Sequence, residues 1–418
     1  MREMKDSGVA WIGEIPEEWV CCKQKYAMKL INGRAYSDSE FEKDGKYKIL
    51  RVGNLFSNPV WYTSNLELPE DKYCSSGDLL YSWSMSYAPV FWYGEKVIYH
   101  YHIWKVNLND KIQKKFAYYY LVALTDALKA EIHETTMGFI TMGVMNNSYI
   151  AIPNIAEQQT IATYLDQKCT QIDALITNQQ KQIEKLKAYK QSLITETVTK
   201  GLNPDVPMKD SGVEWIGEIP EDWEIVRIKN ICQFNPSSKK SFSDDDIVSY
   251  APMECVRTGS LVHKEIAIKN VSSGLTYFEE NDIIMAKVTP CFENGNIAIA
   301  TGLTKGMAFG SSELFVFRAN ESIKFFLFYF LQNNIFKKFS ISTMTGTGGL
   351  KRVSSNFVNN YSFALPPIEE RNKIVFYLDK KCTQIDSLIA IKQRKIEKLQ
   401  QYKKSVIYEY VTGKKEVK

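Results

Sequence analysis

A seven-residue period runs through two stretches of this chain. In the first, Leu165, Ile172, Gln179, Leu186 and Leu193 are interleaved with Cys169, Ile176, Ile183, Lys190 and Thr197 at alternating steps of four and three. In the second, Leu378, Ile385, Lys392, Leu399 and Val406 alternate in the same way with Cys382, Ile389, Ile396, Lys403 and Tyr410. That spacing makes the seam of a coiled coil, because a repeat of about 3.5 residues keeps every such side chain facing one partner. An ordinary amphipathic helix on a core needs no heptad sustained over so many turns. The polar members Gln179, Lys190, Lys392 and Lys403 cost stability in a seam and are expected to fix register. A helix over about 161–199 would be about 60 Å long, whereas the linker 201–207 reaches about 25 Å at most. The second helix must therefore run back along the first. The pattern predicts an antiparallel pair with one globular domain at each end and a C-terminus that returns near Met4.

The heptad stretches belong to a larger repetition. Residues 4–20 read MKDSGVAWIGEIPEEWV, and residues 208–224 read MKDSGVEWIGEIPEDWE, 204 positions later. The segment from Tyr164, YLDQKCTQIDALITNQQKQIEKLKAYK, returns from Tyr377 as YLDKKCTQIDSLIAIKQRKIEKLQQYK, at an offset of 213. The halves thus share both ends while their middles, roughly 21–150 and 225–363, have diverged. Landmarks still align there: Gly77-Asp78-Leu79-Leu80 matches Asn281-Asp282-Ile283-Ile284 as a turn entering a strand, and Asn146-Asn147 matches Asn359-Asn360. The expected class is α+β, with a pseudo-two-fold internal repeat. The expected divisions are a first domain over 1–157, its helix and linker over 158–204, a second domain over 205–369 and a second helix over 370–418.

Composition narrows the chemistry. With 418 residues the chain can hold two cores, and its net charge of +4 requires any nucleic-acid role to come from local basic patches. There is no apolar run of about 18 residues for a membrane span and no signal-peptide core at the start, so a cytoplasmic protein is expected. The eight cysteines form no C-x-x-C pair and lack zinc-ligand spacing to the four histidines, so reduced thiols and no metal are expected. No nucleotide phosphate loop, dinucleotide fingerprint, His-Glu-x-x-His or serine elbow is present; Thr345-Gly346-Thr347-Gly348-Gly349 lacks the lysine a phosphate loop needs.

Two domains on one scaffold with different faces suggest two ligands of one kind; an enzyme with twin active sites would keep its catalytic side chains in both halves. The diverged positions carry the chemistry of a nucleic-acid reader. The first domain offers Arg34, Arg51, Asn54, Trp83, Ser84 and Tyr87, with His100 and His102 nearby in sequence. The second offers Ser237, Ser238, Lys239, Lys240, Arg257, Lys287, Thr289 and Gly348-Gly349 ahead of Lys351-Arg352. Arg and Lys can contact guanine O6 and N7, Asn can bridge adenine, and aromatic rings can stack or wedge. Each of these signals also has a plain structural reading: a Lys pair as a solvated face, Trp83 as core, the two histidines as strand alternation.

The chain resembles the specificity subunit of type I restriction–modification systems over nearly its full length. The resemblance rests on Trp11–Pro16 and its copy Trp215-Ile216-Gly217-Glu218-Ile219-Pro220, on Leu365-Pro366-Pro367-Ile368-Glu369-Glu370-Arg371, on Asp282–Pro290 and on Ala308-Phe309-Gly310-Ser311-Ser312-Glu313. The first copy of the proline junction departs mildly, reading Ile152-Pro153-Asn154-Ile155. The resemblance implies two target-recognition domains that each read half of an asymmetric, interrupted DNA sequence and perform no catalysis. It implies that the helices dock two modification subunits, methyltransferases that act on adenine, joined by restriction subunits. The cofactors, S-adenosylmethionine, ATP and Mg2+, would then belong to those partners and none to this chain. Trp11, Trp19, Trp215 and Trp223 are candidates for partner docking, with stapling of each domain to the helix pair as the other reading. The rival function is a coiled-coil scaffold that binds two proteins.

Overall fold

The computed structural model describes residues 2–56, 58–84, 86–134, 140–238 and 242–417, with only the backbone of 132–134. The chain folds as two compact units, Met1–Gln180 with Arg394–Lys418, and Lys181–Gln393. Both long helices contribute to both units. The first covers Ile155–Lys200 and the second Ile368–Val411, so each starts ten residues before the seam pattern does, at Leu165 and Leu378. At about 1.5 Å per residue the first is about 69 Å long.

The predicted seam is the buried stripe: none of its twenty positions is exposed. Within the first unit the Tyr164 and Tyr410 rings lie 4.5 Å apart, and Lys403 Nζ binds Asp173 at 2.7 Å. Within the second, Lys190 Nζ binds Asp386 at 2.7 Å and Lys392 donates to the side chain of Gln182. Rising numbers on one helix meet falling numbers on the other, so the pair is antiparallel in each unit. Lys190 and Lys403 accordingly pair sideways with acids at the rim and Lys392 with an amide, and a shifted register would strand them.

The first unit contains a four-stranded sheet in the order Met28–Asn32, Ile103–Leu108, Leu79–Ser82, Ala88–Phe91, with all pairs antiparallel. A second sheet runs Tyr62–Ser64, Tyr47–Leu50, Val97–Tyr99, Tyr73–Cys74, and its middle pair is parallel. The second unit repeats both orders. Its sheets run Cys232–Phe234, Leu314–Ala319, Ile283–Ala286, Ile297–Ile299 and Lys264–Ala267, Ile247–Ala251, Met307–Gly310, Thr276–Glu279, the latter again parallel at its centre. The landmark turns are built alike. Gly77 and Asn281 both take a left-handed conformation, with φ of +90° and +72°. The following Asp78 and Asp282 accept hydrogen bonds from the amides of Ser75 and Glu279 at 2.8 and 2.7 Å.

Each domain is fixed to its helices by the same device. A short hairpin, Met4–Asp6 with Glu14–Pro16 or Met208–Asp210 with Glu218–Pro220, leads into a buried tryptophan. Trp19 Nε1 donates to Glu157 at 3.2 Å, and Trp223 Nε1 donates to Glu370 at 2.9 Å. Each acid is the third residue of its long helix. The far end of the other helix closes on the same place. Gly201, at φ +82°, lies so close to Glu370 and Trp223 that a Cβ would fall 2.7 Å from the carboxylate; Gly413, at φ +72°, lies equally tight against Pro16 and Trp19. The C-terminal segment does return to the first residues of the chain, where Tyr408 donates to the carbonyl of Ile12 and Lys414 to that of Glu14.

Candidate nucleic-acid interface

In the first domain the candidates gather around the parallel strand pair. Leu50 and Tyr99 are partners, so Arg51 and His100 emerge side by side from the ends of two neighbouring strands, and His100 N donates to Leu50 O at 2.9 Å. Gly33 lets the preceding segment lie against this end, since a Cβ there would meet the His100 carbonyl at 2.4 Å. Arg34 then turns to Glu40, at 2.5 Å, and stands over the Tyr36 ring; its Nη1 is buried without a partner. The ion pair holds the Glu40 carboxyl down at about 2.

The aromatic residues beside Arg51 form a continuous run. Tyr81, Trp104 and Trp83 stack in sequence at 5.5 and 5.8 Å, and Trp83 meets His102 edge-on at 5.2 Å. Trp83 Nε1 donates to the Tyr101 carbonyl at 2.7 Å, which fixes it as a half-buried wall and removes it as a free wedge. Burial, reinforced by His102 and the Arg51 cation, pushes the His100 imidazole down to about 4. Asn54 does not present its amide: Nδ2 donates to Asn58 O and Val60 O, and Oδ1 accepts from Arg51 N. It builds a turn, a correction to its reading as an adenine bridge. Ser84 and Tyr87 are half-buried; the Tyr87 carbonyl accepts from Lys129.

In the second domain, Lys287, Thr289, Gly348, Lys351 and Arg352 converge although about 60 residues separate them. Thr289 N donates to Lys351 O at 2.9 Å and Val353 N donates to Lys287 O at 2.9 Å. The glycine-rich segment closes as a hairpin through reciprocal backbone bonds between Thr345 and Arg352. Gly346 is required there, because a Cβ would meet the Leu350 carbonyl at 2.2 Å. Arg352 is clamped to Glu313 through Nε and Nη2 at 2.7–3.0 Å, so it tethers the hairpin, and Nη1 takes no part in the clamp. Lys351 and Leu350 remain exposed at the tip. Ser237 and Arg257 are exposed elsewhere, with Arg257 Nη1 on the carbonyl of Val256. Lys239 and Lys240 lie outside the described residues. Glu313, the clamp, stood in the Gly310-Ser311-Ser312-Glu313 motif but was not singled out as a functional residue.

Trp19 and Trp223 are buried, which excludes them from direct docking and assigns them to the staple. Trp11 packs half-buried on Tyr120, whereas Trp215 is 45% exposed and borders a small cavity of about 90 Å3 with Phe330 and Tyr361. Among the described residues no group of three His, Cys, Asp or Glu side chains is placed to hold a metal. Among them, too, no helix is long and apolar enough to cross a membrane.

A sequence profile of the type I restriction modification DNA specificity domain matches residues 16–185 and again 220–401. The chain belongs to that family. Its two matches coincide with the two structural repeats, and family members are the non-catalytic component that confers DNA sequence specificity. Among curated relatives, the specificity subunit of the type I enzyme EcoAI from Escherichia coli is 36% identical over 177 residues, 41% of this chain and 30% of that protein. The MjaVIII specificity subunit of Methanocaldococcus jannaschii is 26% identical across 97% of this chain and 94% of its own length. A chain solved in work on complex assembly and conformational transition of the type I R-M system superposes with a TM-score of 0.68 at 13% identity, covering 95% of this chain and 98% of that one. That likeness speaks for the fold.

Proposed function

We propose that this specificity subunit reads a bipartite, asymmetric DNA target, one half-site per recognition domain, and directs two modification subunits to it. The observation that carries the reading is the contrast between identical strand orders and unlike side chains at equivalent positions: one framework carries two faces. The docking of two like partners is supported by apolar residues that stay exposed in both copies of the helical repeat. Ile155 and Ile368, Leu175 and Leu388, and Tyr189 and Tyr402 are each about half exposed. Apolar residues that stay exposed at matched places in both copies of a duplicated helix fit a surface that the same partner covers twice. S-adenosylmethionine, ATP and Mg2+ belong in this reading to the modification and restriction subunits, and the complex works in the cytoplasm. No observation favours the scaffolding alternative.

The test is methylation sequencing of DNA from cells that express this chain with its modification partner. The expected motif has two specified parts around an unspecified spacer. Deleting one heptad from each helix, 177–183 and 390–396, keeps the seam in phase and removes about 10 Å of helix, or about three base pairs. Both half-sites should persist while the spacer shrinks. An active variant that methylates the original motif at its original spacing would refute the helices as a ruler.

A further inference from the structure

Beside the reading face of the first domain lies a cavity of about 200 Å3. Two aromatic pairs line it: Tyr36 with His100, stacked at 6.4 Å, and Phe41 with Tyr62, at 4.7 Å. Asp38 and Arg51 are its charged members, with the Arg51 guanidinium lying 5.1 Å from the Tyr62 ring centre. Neither takes part in an ion pair among the described residues, unlike Arg34, Glu40, Glu313 and Arg352 nearby or in the other domain. The floor is Ile49, fully buried.

This combination selects a ligand. Aromatic faces on several sides favour a flat ring and give a phosphate nothing to bind. A carboxylate in the same wall repels phosphate outright. A carboxylate and a guanidinium together offer one acceptor group and one donor group to the edge of such a ring. Guanine fits both, with N1–H and the 2-amino group toward Asp38 and O6 or N7 toward Arg51. The neutral imidazole of His100 adds a stacking surface without adding charge.

The second domain shows that the cavity is not part of the common framework. Ser311 N donates to Ala251 O there, as His100 N donates to Leu50 O, so the strand ends correspond. By the same registers Pro252 stands for Arg51, Ser311 for His100 and Lys264 for Tyr62. Each of the three side chains that would hold a base is absent from the copy.

We propose that the first domain holds one nucleobase, guanine by its donor set, rotated out of the duplex into the cavity formed by Tyr36, Asp38, Phe41, Arg51, Tyr62 and His100. The inference rests on the DNA-reading role of this domain. A stacked base in a duplex cannot enter a cavity walled by rings, so the base must leave the helix, and the cost of unstacking is offset by new stacking and edge contacts. The occupant is part of the recognition sequence and is distinct from the adenine presented to a methyltransferase.

The experiment uses the complex of this chain with its modification subunits and duplexes carrying the methylation motif, with the half-site of the first domain assigned by exchange of residues 21–150. A single abasic site is moved through that half-site, and binding is measured for the wild type and for Tyr62→Ala, Arg51→Ala and Asp38→Asn. All three residues are exposed at the cavity rim, so their removal spares the core. At one position the variants should bind intact DNA on the order of tenfold more weakly than the wild type yet match it on abasic DNA. Replacing guanine there by inosine, which lacks the 2-amino group, should weaken the wild type and leave Asp38→Asn unaffected. 2-Aminopurine beside that position should brighten on binding. If the variants lose the same factor on intact and abasic DNA at every position, or no 2-aminopurine other than at the methylated adenine brightens, the cavity holds no base. A complex that binds no specific DNA at all would instead refute the recognition role itself.

Discussion

The two recognition domains arrange eight strand pairings in the same way and then solve the surface differently. The first puts an exposed arginine and His100 at the ends of a parallel strand pair, beside a run of aromatic rings. The second projects a glycine-rich hairpin whose arginine is tied to Glu313 and whose lysine is exposed. Where a residue must meet the helices, the copies agree to the hydrogen bond, as Trp19–Glu157 and Trp223–Glu370 do. Where it faces solvent near a reading edge, they share almost nothing. The difference separates two pressures on one duplicated unit: a fixed attachment and a variable ligand.

The sharpest way to break this comparison is to exchange the variable part. Replacing residues 21–150 with the corresponding segment of another family member should change one half of the methylated motif completely and leave the other half untouched. A change in both halves would show that the domains do not read independently.

The attachment should respond equally on the two sides. Trp19→Ala and Trp223→Ala each remove a fully buried ring and should destabilise their own unit by about 3–5 kcal/mol. The Phe variants, which lose mainly the hydrogen bond to Glu157 or Glu370, should cost about 1 kcal/mol. Hydrogen exchange read separately for each unit checks both statements. A large effect on one side and none on the other would mean that the matching geometry hides unequal roles.

A smaller effect distinguishes the two cations of the hairpin. Lys351→Ala should flatten the salt dependence of DNA binding by about one released counterion. Arg352→Ala and Glu313→Gln should instead weaken binding alike, since either change unties the hairpin. If Glu313→Gln binds normally while Arg352→Ala does not, Arg352 contacts DNA itself.

Much of the architecture was legible in the sequence because it is periodic or repeated. The seam positions, the antiparallel pairing and the returning C-terminus follow from heptads and linker length, and the matching turns at Asp78 and Asp282 follow from alignment of the copies. The helix starts at Ile155 and Ile368 were less clear, since those first turns pack on the domains and do not obey the seven-residue repeat. The sites were legible only as a set of residue types. Arg34, Arg51 and Arg352 look alike in sequence, and only the fold gives Glu40 to the first, Glu313 to the third and, among the described residues, no acid to the second. Asn54 illustrates the same limit: its amide is consumed by carbonyls four and six residues away, a local turn that a short polar segment does not announce. The cavity residues Tyr36, Asp38 and Phe41 come from a connecting segment and Tyr62 from an edge strand paired at Ile49, and only the fold brings them together.

The placement of Gly413 has a consequence for the order in which the protein is made. The unit that contains the first residues also contains Arg394–Lys418, and Gly413 closes against Pro16 and Trp19. The second unit is a continuous run, Lys181–Gln393, available in full before Arg394–Lys418 has been synthesised. The unit whose residues 1–180 emerge earlier is therefore completed later, once Arg394–Lys418 has followed.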